Sequence, residues 1–171
     1  VRVTATDLAG ASVDQLLSLE VLNTNDAPAT GVVIEMQQAF EDATFTCVLP
    51  VGAFADADVG DHLSFSATLT NGDMLPSWLN LDAATGTFSG TPSNGDVGDL
   101  RICITATDQI GAAASQTFGL VVGNTNDTPS VAVLLADQQA TEDAYFTFTL
   151  SDGTFQDVDA GDALTLSATR T

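Results

Sequence analysis

The sequence predicts an all-β fold, a tandem array of seven-stranded Greek-key β-sandwich repeats. Short stretches alternate apolar and polar residues at a period of two, and clusters of Gly, Asn, Asp and Pro separate them at intervals of roughly 8–12 residues. No stretch keeps the helical period over the roughly eleven residues that would indicate a helix. The same phrases also return at a fixed spacing along the chain, which indicates one repeated module.

Four sequence blocks define this repeat, and each returns 101 residues later, since 124 − 23 = 101. They are Asn-Thr-Asn-Asp-x-Pro from Asn23 and Asn124, Thr-Ala-Thr-Asp ending at Asp7 and Asp108, Glu-Asp-Ala-x-Phe-Thr from Glu41 and Glu142, and Phe-x-Asp-x-Asp-x-Gly-Asp from Phe54 and Phe155. We expect a complete repeat over residues 28–128, between the C-terminal part of a preceding repeat (1–27) and the N-terminal part of a following one (129–171). Such arrays are typical of spacers and adhesive rods.

The strands expected of the complete repeat follow the alternating stretches in order, at residues 32–34, 45–49, 63–67, 100–107 and 117–122. Roughly seven short strands in about 100 residues favour a sandwich of two packed sheets. The alternation within residues 100–107 directs one set of side chains inward, namely Ile102, Ile104 and Ala106. The spacing of 101 residues predicts the same for Val1, Val3 and Ala5.

The composition is strongly acidic, with Lys+Arg 3 against Asp+Glu 23 and a formal net charge of −20. Nucleic acid and anionic membranes are therefore improbable partners, because both are recognised by clustered Lys and Arg. Nineteen of the acids are Asp and only four are Glu, which points to turns and to oxygen ligands for a hard cation. We expect no membrane span and no signal peptide within these residues, although this says nothing about export.

Three segments of the chain carry a family resemblance. The segment from Phe54 to Ser66 is similar to the Asp-x-Asp-x-Gly-x-x-Leu-x-Tyr-Ser stretch of cadherin-like repeats, and Asn124-Thr-Asn-Asp-Thr-Pro129 resembles the cadherin linker Asp-x-Asn-Asp-Asn-x-Pro. The segment from Pro76 to Gly98 is similar to dystroglycan-type cadherin-like domains and to the related putative Ig repeats of bacterial surface proteins. The resemblance extends over the whole chain and implies a sandwich repeat of a large extracellular protein.

The resemblance also implies calcium sites where two repeats meet, because cadherins bind Ca2+ there with residues of both repeats and of the linker. Carried over by position, the first junction would use Asn23, Asn25, Asp26, Asp56, Asp58 and Asp108. The second would use Glu41, Asn124, Asn126, Asp127, Asp157 and Asp159. Asp7 matches Asp108, but its partner carboxylates precede these residues.

Two departures from the cadherin pattern lower the expected number or strength of bound ions below the three typical of a cadherin junction. Asn23 and Asn124 stand where cadherins place Asp, which removes one charge per junction. The Leu-Asp-Arg-Glu base motif is also absent, and Gly90-Thr91-Pro92 and Asp96 occupy its region. The alternative for these acids is an ordinary role in Asx turns, without a metal.

No motif indicates an active site, and we expect a non-enzyme. Trp78 could stack on a sugar, but a single Trp is more readily explained as a core residue. His62 has no His or Cys partner for zinc and lies outside any nucleophile-elbow context. Cys47 aligns with the inward position Phe148 and Cys103 with the outward position Arg2, so a disulfide between them is possible in an exported sandwich but is not favoured.

We expect a secreted or cell-surface module, without catalytic activity, that forms a calcium-stiffened rod or fibre in an adhesion protein. Its partners are then neighbouring repeats of the same chain or of like chains, joined end to end, with a filament as one form of such an assembly. The alternative is a carbohydrate-binding module of a secreted polysaccharide-associated protein, which would need an exposed aromatic platform. A third class, an enzyme domain, has no motif in its favour.

Overall fold

The computed structural model describes residues 1–159 and 161–170, which form thirteen β-strands and one short 3-10 turn. The strands are β1 (Arg2–Thr6), β2 (Ser12–Leu16), β3 (Ala29–Thr30), β4 (Gln37–Phe40), β5 (Phe45–Val48), β6 (Phe54–Ala55), β7 (Ser64–Leu69), β8 (Asn80–Asp82), β9 (Thr87–Gly90), β10 (Gly98–Thr107), β11 (Ala113–Gly123), β12 (Ser130–Val131) and β13 (Phe155–Gln156); the turn is η1 (Asn94–Asp96). The all-β prediction is confirmed. The described part of the chain contains no helix of the length and apolarity needed to cross a membrane.

Strands β3 to β11 form a sandwich. One sheet has the order β4-β11-β10-β7 and the facing sheet has the order β5-β9-β8, while β3 and β6 form a small separate ladder. All pairs are antiparallel except β4, which lies parallel to β11. The long central pair β10 and β11 runs to the end of the sandwich where Asp108 begins a turn, and at its other end leads into residues 124–128.

The core lies between the two sheets and follows the predicted alternation. Ile102, Ile104 and Ala106 are each 0% exposed, as the sequence predicts. They pack with the inward residues of β11 and with the facing sheet, where Phe88 meets Phe118 edge to face at a ring-centroid distance of 5.5 Å. Burying side chains of this size stabilises the fold by about 1.5–3 kcal/mol each relative to exposure.

The strand expected at residues 32–34 does not form, although Ile34 is buried in the core. The chain changes partners here, from β6 to β11, so residues 31–36 cross between two ladders. Their backbone forms no ladder and is held by separate hydrogen bonds, because Val32 N donates to Gly52 O (2.8 Å) and the Gln116 side-chain amide donates to Val32 O (3.2 Å). An alternating sequence pattern indicates that one set of side chains is buried. Ile34 is buried in this way, although its backbone does not pair in a strand.

The predicted inward set of the preceding segment is wrong for this structure. β1 and β2 pair as a hairpin in the same register as β10 and β11, but Val1 and Val3 are 64% and 54% exposed and Ala5 is exposed too. The reason is that a two-stranded hairpin has no facing sheet among the described residues to cover one of its sides.

The cysteines and the tryptophan have the environments that the sequence indicates. Cys47 is buried in β5, Cys103 is half-buried in β10, and both are free thiols. Trp78 is half-buried and meets Phe45 edge to face at 6.4 Å, as part of the layer around the core. A Cβ on Gly90 would overlap the Trp78 carbonyl oxygen, so glycine permits this close approach.

Candidate metal centre

The loop after β6 gathers three carboxylates. Asp56, Asp58 and Asp61 each place an oxygen within 4.8 Å of the other two. The loop is folded by its own acids, because Asp58 N donates to Asp56 Oδ1 (2.9 Å) and Asp61 N donates to Asp58 O (3.3 Å). Asp56 Oδ2 and Asp61 Oδ2 are buried without a hydrogen-bond partner among the described residues. Like charges are thus concentrated in one turn.

The linker at residues 23–28 docks on this loop through Asp58. Both carboxylate oxygens of Asp58 are used: Oδ1 accepts from the Asn23 side chain (2.7 Å) and Oδ2 from the backbone N–H of Asp26 (2.7 Å). The Asn25 amide donates to Asp108 Oδ2 (2.9 Å). The linker therefore joins the Asp58 loop to the end of β10, and its own backbone occupies the space in front of Asp58.

Asp108 is a turn residue as well as a member of this group. Its Oδ1 accepts from the backbone N–H groups of Ile110, Gly111 and Ala112 at 2.6–2.9 Å. The hydrogen bond from the Asn25 amide, followed by these backbone bonds, holds the pKa of Asp108 below its usual value. Asp7, one repeat earlier, accepts from Ala9 N and Ala11 N in the same way.

The second linker reproduces this docking 101 residues later. The N–H of Asp127 donates to Asp159 Oδ2 (2.7 Å), as Asp26 does to Asp58. The loop after β13 repeats the internal bond, with Asp159 N donating to Asp157 Oδ1 (3.0 Å). Asp157, Asp159 and Asp162 again place oxygens within 4.8 Å of one another. The two linkers thus make these contacts at equivalent positions, 101 residues apart.

Glu41 approaches the second linker from the other side. It follows β4 directly and is 1% exposed, and its Oε1 accepts from the backbone N–H of Thr125 (2.8 Å). Its other oxygen, Oε2, is buried and has no hydrogen-bond partner among the described residues, and the same holds for Asp159 Oδ1. Glu41, Asp127 and Asp159 place carboxylate oxygens within 4.8 Å of one another. Two acids on opposite sides of the linker thus converge on one point.

The electrostatics of these groups are unfavourable without a cation. Within residues 1–159 and 161–170 the single ion pair joins Arg2 to Asp14, away from both linkers. Burial, then the neighbouring carboxylates of Asp56, Asp58 and Asp108, raise the pKa of Asp61. A buried carboxylate normally has a partner, because leaving a charge unpaired costs several kcal/mol. Oxygen-only donors at this spacing are the chemistry that Ca2+ prefers.

The structure brings most of the predicted residues together and separates two from them. Asn23, Asn25, Asp26, Asp56, Asp58 and Asp108 meet at the first linker, and Glu41, Asp127, Asp157 and Asp159 meet at the second. The Asn126 amide donates only to Asp127 O (2.8 Å), and Asn124 makes no side-chain hydrogen bond to any residue that the structure describes.

Three residues of the site were missed by sequence reasoning. Asp61 and Asp162 end the repeated block Phe-x-Asp-x-Asp-x-Gly-Asp, so the repeat itself contained the signal. Asn94, in η1, donates from its amide to Asp127 Oδ2 (2.5 Å). Its counterpart in another repeat falls outside the chain, so no internal comparison could have identified it.

Comparisons with known proteins identify the sandwich. The profile of the family described as Putative Ig domain matches residues 27–123, more than half of the chain. A protocadherin gamma B7 structure of domains EC3–6 is similar with a TM-score of 0.58 and 19% identity, covering 80% of this chain and 34% of that one. The protocadherin gamma B4 extracellular domain gives 0.55 and 18%, covering 80% and 23%. At these identities the likeness shows the fold alone.

A further solved structure, an endo-fucoidan hydrolase of glycoside hydrolase family 107, gives a TM-score of 0.44 at 22% identity and covers 72% of this chain and 19% of that one, too distant a match to support an argument. No curated protein sequence matches the chain. The chain spans about a fifth to a third of the length of these solved chains.

Proposed function

Because this chain belongs to the Putative Ig domain family and has a cadherin-like sandwich, we propose that it is a non-catalytic extracellular link whose junctions bind calcium. The link consists of a complete repeat over residues 28–128, with parts of neighbouring repeats at 1–27 and 129–171. The flanking segment supports this division: Leu135 and Phe146 are 49% and 47% exposed, whereas their equivalents Ile34 and Phe45 are 3% and 8% exposed. In the complete repeat, the strands β9, β10 and β11 cover the equivalent face.

The observation that carries the proposal is the pair of buried, unpartnered oxygens at the second linker, Glu41 Oε2 and Asp159 Oδ1. They come from the two sides of the linker, they lie in one cluster with Asp127, and no Lys or Arg neutralises them. A divalent cation would satisfy both oxygens at once. Ordinary turn chemistry explains Asp108 Oδ1, which accepts three backbone N–H bonds, but it leaves these two oxygens without a partner.

The proposed ligands are the acids and amides that meet at each linker. At the first junction they are Asn23, Asn25, Asp26, Asp56, Asp58, Asp61 and Asp108. At the second they are Glu41, Asn124, Asn126, Asp127, Asp157, Asp159 and Asp162. The amides of Asn23 and Asn25 donate to carboxylates in this structure, and a rotation of half a turn would offer the amide oxygen instead. Asp159 belongs to both clusters of the second junction, so it would bridge two adjacent sites.

Calcium would act by tying the linker to both repeats. The Asp127 N–H already bonds Asp159 in the following segment, and the Thr125 N–H already bonds Glu41 in the complete repeat. A cation in contact with Glu41, Asp127 and Asp159 would remove the repulsion among the three charges and add a constraint across the linker. A rod at the cell surface, joined end to end to like repeats, follows from that constraint.

The carbohydrate-binding alternative has weaker support. An aromatic platform needs an open ring face, whereas Trp78 packs against Phe45 and the core. The structural role therefore explains more of the observed contacts.

Thermal unfolding of the 171-residue chain in calcium and in chelator tests the proposal. A ligand bound only by the folded state stabilises it by about 2.7 kcal/mol at 100 times its dissociation constant, which corresponds to a rise of several degrees in Tm. The Glu41→Gln variant keeps the acceptor for Thr125 N–H and removes the buried charge. Its Tm in chelator should equal or exceed that of the wild type, while its gain from calcium should fall markedly.

Glu35→Gln is the matched control, because Glu35 is exposed and lies outside both clusters. It should keep the full calcium gain. Equal melting temperatures of the wild type in millimolar calcium and in chelator would refute the calcium function.

A further inference from the structure

Asn94 lies at the end of the sandwich that faces the second linker, and its position is fixed by a rigid local turn. Ser93 N and Ser93 Oγ both donate to Asp96 Oδ2, at 2.9 and 2.7 Å, and Asp96 N donates back to Ser93 O (2.8 Å). Asn94 itself is half-buried. This hydrogen-bonded turn therefore holds the Asn94 side chain in one direction.

The same turn is fastened to the segment that carries Glu41. Pro92 is buried, and its carbonyl accepts from Asp42 N (2.9 Å). Asp42 adopts a left-handed conformation with φ 58°, which reverses the chain directly after Glu41. Glu41 and Asn94 are thus held in fixed relation by short backbone contacts, and both reach the linker.

Asn94 contacts the one acid of the cluster that the linker itself supplies. Its amide donates to Asp127 Oδ2 (2.5 Å), and Asp127 lies in the cluster with Glu41 and Asp159. A second, independent observation points to a ligand at this cluster: Glu41, at 1% exposure, has an oxygen without a hydrogen-bond partner in the described chain. An amide beside such a group can offer either its nitrogen to a carboxylate or its oxygen to a metal.

We propose that Asn94 is a ligand of the cation held by Glu41, Asp127 and Asp159, which is an inference that rests on the calcium function proposed above. In this structure the Asn94 amide nitrogen donates to Asp127. When the cation binds, the amide rotates and Oδ1 coordinates it. A neutral oxygen ligand at this point keeps the charge of the site lower than a carboxylate would, and calcium affinity depends on the number of charged ligands.

Substitution of Asn94 by aspartate distinguishes two roles for this residue: a ligand of the cation, and a residue that only positions Asp127. If Asn94 coordinates the cation, Asn94→Asp adds a charged ligand and calcium should bind about tenfold more tightly or better. If Asn94 only holds Asp127 by a hydrogen bond, the same variant loses that bond, adds repulsion and binds calcium more weakly. Asn94→Ala should bind about tenfold more weakly or worse.

Calorimetric titration of the 171-residue chain with calcium chloride measures these affinities, and thermal unfolding in chelator measures the metal-free state. Asn94→Asp should lower the Tm in chelator, because it places two carboxylates in contact. Asn71→Asp is the matched control, because the Asn71 amide donates to the Asp73 carboxylate (2.7 Å) in a turn outside both junctions. Its calcium affinity should equal that of the wild type.

The outcomes separate this inference from the proposed function. A wild type that binds no calcium overturns both. A wild type that binds calcium, with an unchanged or lowered affinity in Asn94→Asp, overturns the ligand role alone. Tighter binding by Asn94→Asp together with weaker binding by Asn94→Ala supports it.

Discussion

At the scale of single residues, aspartate has two different roles in this chain. Asp82 caps a turn, because its carboxylate accepts from Ala84 N (2.8 Å) and Thr85 N (3.1 Å) on the exposed surface. Asp159 also accepts a backbone N–H, but its other oxygen is buried without a partner in the described chain. An oxygen that is buried without a hydrogen-bond partner distinguishes Asp159 from Asp82. The residue type alone does not.

Asp82 yields a prediction about pH. The backbone hydrogen bonds from Ala84 and Thr85 lower its pKa in the folded state. A lowered folded pKa contributes stability above the unfolded value of about 3.9, and this contribution is lost as the pH falls through the folded value. Asp82→Asn should therefore lower the Tm at pH 7, and the deficit should shrink below about pH 4.

Thermal unfolding across this pH range measures the effect, with Asp99→Asn as the control, because Asp99 is exposed and makes no side-chain hydrogen bond within residues 1–159 and 161–170. A deficit that stays constant down to pH 2 would show that the carboxylate charge is not what stabilises the turn.

At the scale of strands, the same alternating sequence pattern contributes differently to stability, depending on whether a second sheet covers the strand. β1 pairs with β2 in the same register as β10 pairs with β11, so residues 3 and 104 are equivalent positions. Ile104 is 0% exposed and Val3 is 54% exposed. The facing sheet β5-β9-β8 makes the difference, so burial belongs to the pair of sheets and not to the strand.

Truncation at these equivalent positions should therefore have unequal costs. Ile104→Ala leaves a cavity in a closed core and should cost about 2–5 kcal/mol of unfolding free energy. Val3→Ala, one repeat earlier, should change it by less than about 0.5 kcal/mol. Urea unfolding of both variants gives the comparison. Equal losses would indicate that β1 and β2 are covered in solution by another part of the chain or by a second copy.

The alternating pattern predicted the strands that bury one face along their length. It did not predict the segments whose structure depends on which other strand they pair with. Residues 45–49, 63–67, 100–107 and 117–122 correspond to β5, β7, β10 and β11. β8, with three residues, is too short to display a period. The parallel contact of β4 with β11, and the crossing at residues 31–36, depend on tertiary pairing that no local pattern records.

At the scale of the whole molecule, the dominant property is a net charge of −20 with acids concentrated at the linkers. Mutual repulsion favours open arrangements of consecutive repeats, whereas a bound cation favours a single one. A sandwich of about 100 residues spans roughly 40–45 Å, so the angle at each linker strongly affects the total length.

We predict that the maximum dimension of the chain in small-angle scattering is larger in millimolar calcium than in chelator. The physical reason is the constraint that Asp127, Glu41 and Asp159 would impose on the linker once a cation joins them. Glu41→Gln should lose most of the difference, and Glu35→Gln should keep it. An identical dimension under both conditions would mean that packing alone sets the linker angle.

The candidate site was predicted in outline, because its parts recur in the sequence. The linkers and the paired aspartates after β6 and β13 stand at a constant spacing, and their docking through Asp58 and Asp159 follows that spacing. The asymmetric part could not be predicted. Asn94 reaches Asp127 across 33 positions of the chain, and only the folded turn after β9 brings them together.

The position of Arg101 in β10 has a consequence for the rate at which a trypsin-like protease can digest the protein. The chain has three basic residues, Arg2, Arg101 and Arg170, so an enzyme that cuts after Lys or Arg finds a single site within residues 29–123. Cleavage requires the bond to be drawn into the enzyme as a free extended segment. Arg101 instead pairs with Gly119, and its carbonyl accepts from Thr70 N (2.9 Å). A trypsin-like enzyme can therefore cut the sandwich only after its central sheet has opened, and the rate of digestion measures how often that happens.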